Sequence, residues 1–326
     1  MTNGTYSNST QNAGFLVDLH GTASLATASV SGATFSGNFS KGIQFQHNDN
    51  ATMGNGVGAP ATGTITVNNN TITNNDVGAS FESGGNGNGS AYYRFTNNAI
   101  ITGNHSLAVN FANGSTVGTG TFKVFCDNNH IGTAGVANSG AAVGEGIRLF
   151  TQGKQTVTAV ITNNVIRDLY NGAGGFDARG IDVEQLGSSN TGQGQTSMDV
   201  TITGNNIDQE YTGPTFNIQY AIYVAADGQA SGSGSNVRAD IHGNTVPTQS
   251  ACDSSPCAGN DSMIWMETVS NSNSPSGALY NLFSEASVNA AVVKHNTGPD
   301  AAWVATQSGG GQPAITLSGT APNTVP

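Results

Sequence analysis

Apolar and polar residues alternate in short stretches along this chain, and most of these stretches end at a polar bend that contains asparagine. The clearest copy is Ile161–Ile166, which reads Ile-Thr-Asn-Asn-Val-Ile. Apolar Ala159 and Ile161 precede Asn164 by five and three positions. This period of two is the pattern of a half-buried strand. The paired asparagines favour a sharp bend, because asparagine tolerates left-handed backbone angles.

The same phrase recurs through nearly the whole sequence. Copies aligned on the second asparagine are separated by 28 residues at first and by 52 at the end. The aligned positions are Asn70, Asn98, Asn129, Asn164, Asn205, Asn244 and, in a degenerate last copy, Asn296. A second predicted strand follows each bend, as in Gly180-Ile181-Asp182-Val183. A unit that recurs at this spacing is the mark of a repeat architecture.

Two short strands and a bend cannot bury an apolar face alone, but units stacked in parallel about 4.8 Å apart can. We therefore predict an all-β parallel β-helix of about eight rungs over residues 1–306. Residues 307–326 are rich in Gly, Pro and Thr and are predicted to form a tail or linker. The aligned asparagines should form a buried ladder inside the bends. Long loops are expected at one corner, between the bend and the second strand.

Composition excludes several classes of partner. Only 9% of the residues are charged, and the net charge is −11. Nucleic acids and anionic membranes both require a basic face, so neither is an expected partner. No apolar stretch reaches the roughly 18 residues of a membrane span, so membrane insertion is not predicted. The first residues lack the basic and apolar regions of a signal peptide, so we expect a segment of a longer secreted precursor.

The cysteines and histidines point to a secreted protein without a metal or cofactor. Cys252 and Cys257 lie in one polar loop and suggest a disulfide formed in an oxidising compartment, although their spacing also admits a metal site. Cys126 stands alone on a predicted strand, where a buried thiol is the simpler interpretation. The six histidines are scattered without a second ligand at metal spacing. No Gly-rich phosphate loop precedes a helix.

Taken together, the asparagine bends and the Gly-Ile-x-Val strands resemble those of right-handed parallel β-helix proteins with the pectin-lyase-like fold. The resemblance covers about residues 20–306 and implies a single-stranded right-handed solenoid. Long Asn-, Gly- and Thr-rich versions resemble passenger or stalk segments of large bacterial surface proteins and adhesins. The same fold hosts pectate lyases, polygalacturonases and phage tailspikes. The paired Asp-Asp and the Gly-His-Gly of polygalacturonases are absent from this sequence, so hydrolase activity does not carry over.

The outward positions of the second strands supply candidate carbohydrate contacts. In the C-terminal half they form a predicted column of charged and aromatic side chains. These candidates are Arg148, Asp182, Tyr223, Trp265 and, two residues further on, Glu267. Acids, an arginine and aromatic platforms beside a shallow groove are typical of sugar sites. The alternative is structural: Arg148 and Asp182, one strand apart, form a cross-strand ion pair, and the aromatics are good strand formers.

Catalytic roles are open only to a few acids and one further arginine. Asp182 and Glu184 would lie about 7 Å apart on one strand, a separation compatible with an inverting hydrolase. Asp177 and Arg179 in the adjoining loop are further candidates.

The leading hypothesis is a non-catalytic structural or adhesive segment of a secreted or surface-exposed bacterial protein that contacts a polysaccharide or a host glycan. The alternative is a polysaccharide-cleaving lyase or glycoside hydrolase. A third hypothesis is a trimeric or fibre-forming module that associates through its end rungs, since end rungs have unpaired strand edges.

Overall fold

The computed structural model describes most of the chain, with gaps mainly in the predicted loops. The described residues are 1–54, 63–84, 88–100, 106–114, 118–137, 139–142, 144–169, 178–187, 196–208, 220–228, 234–247, 263–269, 276–280, 287–297, 304–308 and 315–325.

The described strands form three sheets, and every strand pair within them is parallel. Sheet 1 has seven short strands: β1 Thr5–Ser7, β5 Thr34–Ser36, β9 Thr71–Thr73, β12 Ala99–Ile100, β15 His130–Ile131, β18 Val165–Arg167 and β21 Asn206–Asp208. Sheet 2 has nine: β2 Phe15–Leu19, β6 Lys41–Asn48, β10 Val77–Gly84, β13 Leu107–Asn113, β16 Ile147–Thr151, β19 Arg179–Leu186, β22 Tyr220–Asp227, β24 Ile264–Val269 and β26 Val304–Ser308.

Sheet 3 has eleven strands: β3 Ser24–Leu25, β4 Ala28–Ser31, β7 Thr52–Met53, β8 Ile65–Asn68, β11 Ala91–Thr96, β14 Thr121–Asp127, β17 Thr156–Thr162, β20 Thr196–Thr203, β23 Ser235–His242, β25 Ser276–Leu279 and β27 Thr316–Leu317. The chain visits sheets 3, 1 and 2 in turn, as in β17, β18 and β19, and then begins the next coil. Parallel strands that stack from one coil to the next in this way are consistent with the predicted β-solenoid.

As far as β21, each unit contains one strand more than the sequence pattern predicted. The extra strands are those of sheet 1, which directly follow the asparagine bends. They are only two or three residues long, too short for an alternating pattern to be recognised. Five of them place a fully buried apolar side chain inward: Phe35, Ile72, Ile131, Ile166 and Ile207. The core lies between the three sheets, and its aromatic side chains stack from strand to strand: Phe81 contacts Phe45 and Phe111 at ring-centroid distances of 6.0 and 5.0 Å.

The predicted asparagine ladder is confirmed. In each of six successive steps, an Asn Nδ2 donates to the Oδ1 of the next asparagine at 2.9 or 3.0 Å. The backbone N–H of the same residue donates to that Oδ1 at 2.9–3.1 Å. Its Nδ2 also donates to a carbonyl of the preceding coil, as Asn164 does to Cys126 O at 3.0 Å. All seven side chains are at most 4% exposed, so the ladder satisfies its buried amides within the fold.

The residue before each of the first six ladder asparagines has a left-handed backbone. Asn163 has φ of 53° and Gly204 has φ of 66°, and the same holds for Asn69, Asn97, Asn128 and Gly243. Asparagine and glycine are the residues that adopt this conformation at least strain. The recurrent Asn-Asn or Gly-Asn pair therefore has two separate duties, in which the first residue turns the backbone and the second supplies the amide.

A shorter second ladder lies in the N-terminal coils, after the sheet 1 strands rather than before them. The Nδ2 of Asn38 donates to Asn75 Oδ1 at 2.9 Å, and the backbone N–H of Ser9 donates to Asn38 Oδ1 at 3.1 Å. The sequence pattern missed this ladder because it has only two asparagines.

The last ladder position differs from the prediction of a strand-like copy. Asn296 follows helix α1, Val288–His295, rather than a strand. The hydroxyl of Ser287 caps this helix by accepting from the Ala290 N–H at 3.1 Å. Asn296 Nδ2 in turn donates to Val292 O at 2.9 Å. A serine N-cap followed by Ala290 and Ala291 favours a helix over a strand, and the helix end completes the ladder.

Candidate functional site

The outward side chains of sheet 2 stand in register along four neighbouring strands. Arg148 of β16 lies opposite Asp182 of β19, Asp182 opposite Tyr223 of β22, and Tyr223 opposite Trp265 of β24. A parallel column on one face of period-two strands produces this order. A second outward column lies two residues further along and consists of Phe150, Glu184, Ala225 and Glu267. We call the charged and aromatic members of these columns, together with Arg179 and Tyr220, the outer cluster.

Arg179, the first residue of β19, connects the two acids of its own strand. Its Nη1 lies 3.0 Å from Asp182 Oδ1 and 2.7 Å from Glu184 Oε1. Its guanidinium carbon lies 3.8 Å from the centroid of the Tyr223 ring. The Arg179 side chain is 13% exposed, so these ion pairs lie largely out of water.

The aromatic members of the outer cluster are joined by one carboxylate. Glu267 Oε2 accepts from Tyr223 Oη at 2.9 Å and from Trp265 Nε1 at 3.2 Å. The Tyr220 ring lies 5.6 Å from the Tyr223 ring and 5.4 Å from the Trp265 ring, centroid to centroid. The Tyr223 hydroxyl and the Trp265 indole N–H are therefore hydrogen-bonded inside the cluster, and the apolar faces of the three rings pack together.

Burial changes the protonation of the Asp182 carboxyl. Asp182 is 1% exposed, although it occupies an outward position. Desolvation raises its pKa to about 8; Arg179 opposes this shift, while Glu184 and Glu145 add to it. Burial also raises the pKa of Glu145, a residue just before β16. A carboxyl with this pKa carries a proton at neutral pH for much of the time and can act as a proton donor.

Arg148 does not form the cross-strand ion pair with Asp182 that the strand register suggested. Its guanidinium carbon instead lies 4.7 Å from the centroid of the Phe150 ring, a cation–π contact. Within the described residues its Nε atom has no hydrogen-bond partner. The Nε atom is buried, but the Arg148 residue as a whole is half-buried and therefore partly accessible to solvent. It is the cation of the cluster best placed to meet an external hydrogen-bond acceptor.

The structure brings together most, but not all, of the sequence-derived candidates. Arg148, Arg179, Asp182, Glu184, Tyr223, Trp265 and Glu267 all belong to the outer cluster. Tyr223 and Trp265 are 8% and 5% exposed, so the aromatic platforms are mostly covered rather than open to a groove. Asp177, Cys252 and Cys257 lie outside the described residues. Cys126 is a fully buried free thiol whose pKa burial raises.

Sequence reasoning missed two buried groups. Glu145 was not selected because it lies in a long loop rather than on a strand. His47 is an inward residue of β6, fully buried, with Nδ1 3.2 Å from Tyr93 Oη. The alternation of β6 indicates that His47 points inward, but its tyrosine partner is 46 residues away and no local signal identifies it.

The described residues include no group of three or more His, Cys, Asp and Glu side chains that could hold a metal ion. No helix in the described ranges is long and apolar enough to cross a membrane. Comparisons with protein-family models, with curated proteins and with solved structures gave no match for this chain.

Proposed function

We propose that this chain is a non-catalytic structural and adhesive segment of a secreted or surface-exposed bacterial protein. In this proposal it is a right-handed parallel β-helix of about eight rungs with the pectin-lyase-like fold. The observation that carries the proposal is the unbroken ladder from Asn70 to Asn296, in which each amide is bonded to the next. Such a ladder ties each coil to its neighbours, as a stiff spacer requires.

The bonding of the outer cluster supports a non-catalytic role. Glu267 accepts from two aromatic side chains, and Arg179 binds both acids of its strand. A catalytic acid and base need to reach a substrate atom, whereas these groups are engaged with one another and Asp182 is almost fully covered.

The exposed edge of the cluster is the proposed contact with a polysaccharide or host glycan. Half-buried Arg148 lies over the half-buried Phe150 ring, and its Nε has no hydrogen-bond partner among the described residues. A polar donor next to an aromatic ring is a common arrangement for binding sugars.

A glycan array tests the adhesive part of this proposal. We expect the full chain to bind at least one glycan class and Arg148→Ala to weaken that binding. The matched control is Arg94→Ala, since Arg94 lies over the Phe125 ring of sheet 3 at 4.2 Å in the same way. Equal loss in both variants, or no bound glycan, would contradict a sugar contact at Arg148.

A polysaccharide-cleaving enzyme is the second candidate, favoured by the raised pKa of Asp182. In this alternative Asp182 donates a proton to the leaving oxygen, Glu184 activates water and Arg148 binds the substrate. The test is a reducing-sugar and unsaturated-product assay over pectins, alginates and capsular glycans. Turnover that is abolished by Asp182→Asn would establish this candidate and reject the non-catalytic proposal.

A further inference from the structure

The C-terminal segment 315–325 turns back over the outer face of sheet 3. Thr316 and Leu317 form β27 and pair with β25. A turn follows, in which the Thr320 N–H donates to Ser318 Oγ at 3.2 Å. In the strand register, Thr316 lies in line with Ala278, Arg238 and then Asp199. Asn323 nevertheless contacts Asp199, so the segment returns across three strand spacings, about 14 Å.

Asp199 binds this segment through a carboxylate whose two oxygens both accept hydrogen bonds. Arg238 donates from Nε to Oδ1 and from Nη2 to Oδ2, each at 2.7 Å. The backbone N–H of Asn323 donates to Oδ2 at 3.2 Å, and the Asn323 Nδ2 donates to the same oxygen. Asp199 is 6% exposed. The arginine fixes the carboxylate in position, and the carboxylate then binds both a backbone and a side-chain amide of one residue.

Buried apolar residues flank Asn323 in the segment. Pro322 and Val325 are both buried, although the segment around them has no regular secondary structure. The described polar contacts of residues 321–325 with sheet 3 therefore centre on one carboxylate, and a buried apolar residue lies on either side of Asn323 in the sequence. We call Asp199, Arg238 and the adjoining surface of sheet 3 the tail site.

We propose that the tail site is an interaction site that also accepts the C-terminal segment of a second copy of this chain. The hydrogen bonds from Asn323 to Asp199 would be the same in either case, because they involve only the segment and the tail site. Exchange of an identical element between copies loses no contacts and is a low-cost route to association. The turn at Ser318–Thr320 is the place where the two paths would diverge.

Two full-length variants test the exchange directly. Asn323→Ala keeps the tail site but removes the side-chain donor, whereas Asp199→Asn keeps the segment but removes the carboxylate. Mixed in equal amounts, they should form a 1:1 complex in sedimentation velocity, through the intact site of one and the intact segment of the other. The control pairs Asn323→Ala with the double variant Asp199→Asn, Asn323→Ala, and should give no complex. Failure of the first pair to associate would overturn the proposal.

A peptide titration keeps the proposal testable if Asp199→Asn fails to fold. A labelled peptide of residues 315–326 should bind full-length Asn323→Ala, whose own segment is weakly held. The same peptide carrying Asn323→Ala should bind at least about tenfold more weakly, because hydrogen bonds to a charged group are lost. A matched background is Asp240→Asn, at an acid of the neighbouring strand β23 that is bonded to His242, and it should leave binding unchanged. Equal binding of the two peptides would overturn the proposal.

Discussion

Arg148 and Asp182 stand opposite each other on adjacent parallel strands, yet Asp182 is bonded to Arg179 and not to Arg148. Asp182 lies buried in a network with Arg179 and Glu184, whereas Arg148 lies over Phe150, and its Nε has no hydrogen-bond partner in the described part of the chain. The outer cluster thus has a closed interior and one cation at its edge. This division underlies both the non-catalytic proposal and the expected role of Arg148.

Replacement of Arg179 by methionine should destabilise the protein in a pH-dependent way. Removing one partner of a buried ion pair typically costs about 3–5 kcal/mol, since a buried charge is left without its partner. Asp182 can neutralise its own charge by taking up a proton. The loss of unfolding free energy in Arg179→Met should therefore be smaller at pH 5 than at pH 8. Urea unfolding at the two pH values measures it, with Arg94→Met as the control. An equal loss at both values would contradict the buried-network interpretation.

Asp182 itself should make the wild-type protein less stable as pH rises. Its pKa is raised from 3.8 to about 8 in the fold, so the folded state holds a proton that the unfolded state has lost. The stabilisation is complete below about pH 3.8 and disappears as pH rises towards 8. Relative to Asp182→Asn, the wild-type unfolding free energy should fall by at most about 1.4 kcal/mol per pH unit across this window. If the difference in unfolding free energy between the two proteins stayed constant from pH 4 to pH 8, the raised pKa of Asp182 would be contradicted.

His47 should produce the opposite dependence on the acid side. Burial lowers its pKa from 6.5 to about 4, and backbone hydrogen bonds at Gly89 and Glu82 oppose the shift. Its contribution to stability is present above pH 6.5 and is lost as pH falls through 4. His47→Gln should flatten the decline of unfolding free energy between these values. His20→Gln, at a side chain that is 64% exposed, is the control and should leave the curve unchanged.

The repeat was readable from sequence because it combines two local requirements at fixed positions. A residue such as Asn163 must accept a left-handed backbone, and the next one, Asn164, must supply an amide. The strand register then follows from aligning the bends, which is why Arg148, Asp182, Tyr223 and Trp265 could be arranged in one column.

Other features depend on information that no local pattern contains. Register brings Asp182 close to Arg148, but side-chain conformation decides that Arg179 is its partner. The Asn323–Asp199 contact joins residues 124 apart. The helix before Asn296 replaces a strand because its serine cap and alanines favour a helix, a choice that the ladder position alone does not indicate.

Asn164→Ala should be much more damaging than a change at its neighbour Asn163. Asn164 Oδ1 accepts from both the backbone N–H and the Nδ2 of Asn129. Its removal leaves buried donors unsatisfied, at roughly 1–3 kcal/mol each. Asn163 is exposed and has φ of 53°, so Asn163→Gly should be nearly neutral. Equal losses in chemical denaturation would contradict the division of duties between the two residues.

The stacking of the asparagines is the central claim, and a pair of double-mutant cycles tests it most directly. Asn129 and Asn164 are bonded at 2.9 Å, whereas Asn129 and Asn244 lie three coils apart, about 14 Å by strand spacing. With serine at each position, we predict a coupling energy of about 0.5–3 kcal/mol for Asn129 with Asn164. For Asn129 with Asn244 it should lie within about 0.5 kcal/mol of zero. Equal coupling in the two cycles, or none between Asn129 and Asn164, would contradict the ladder.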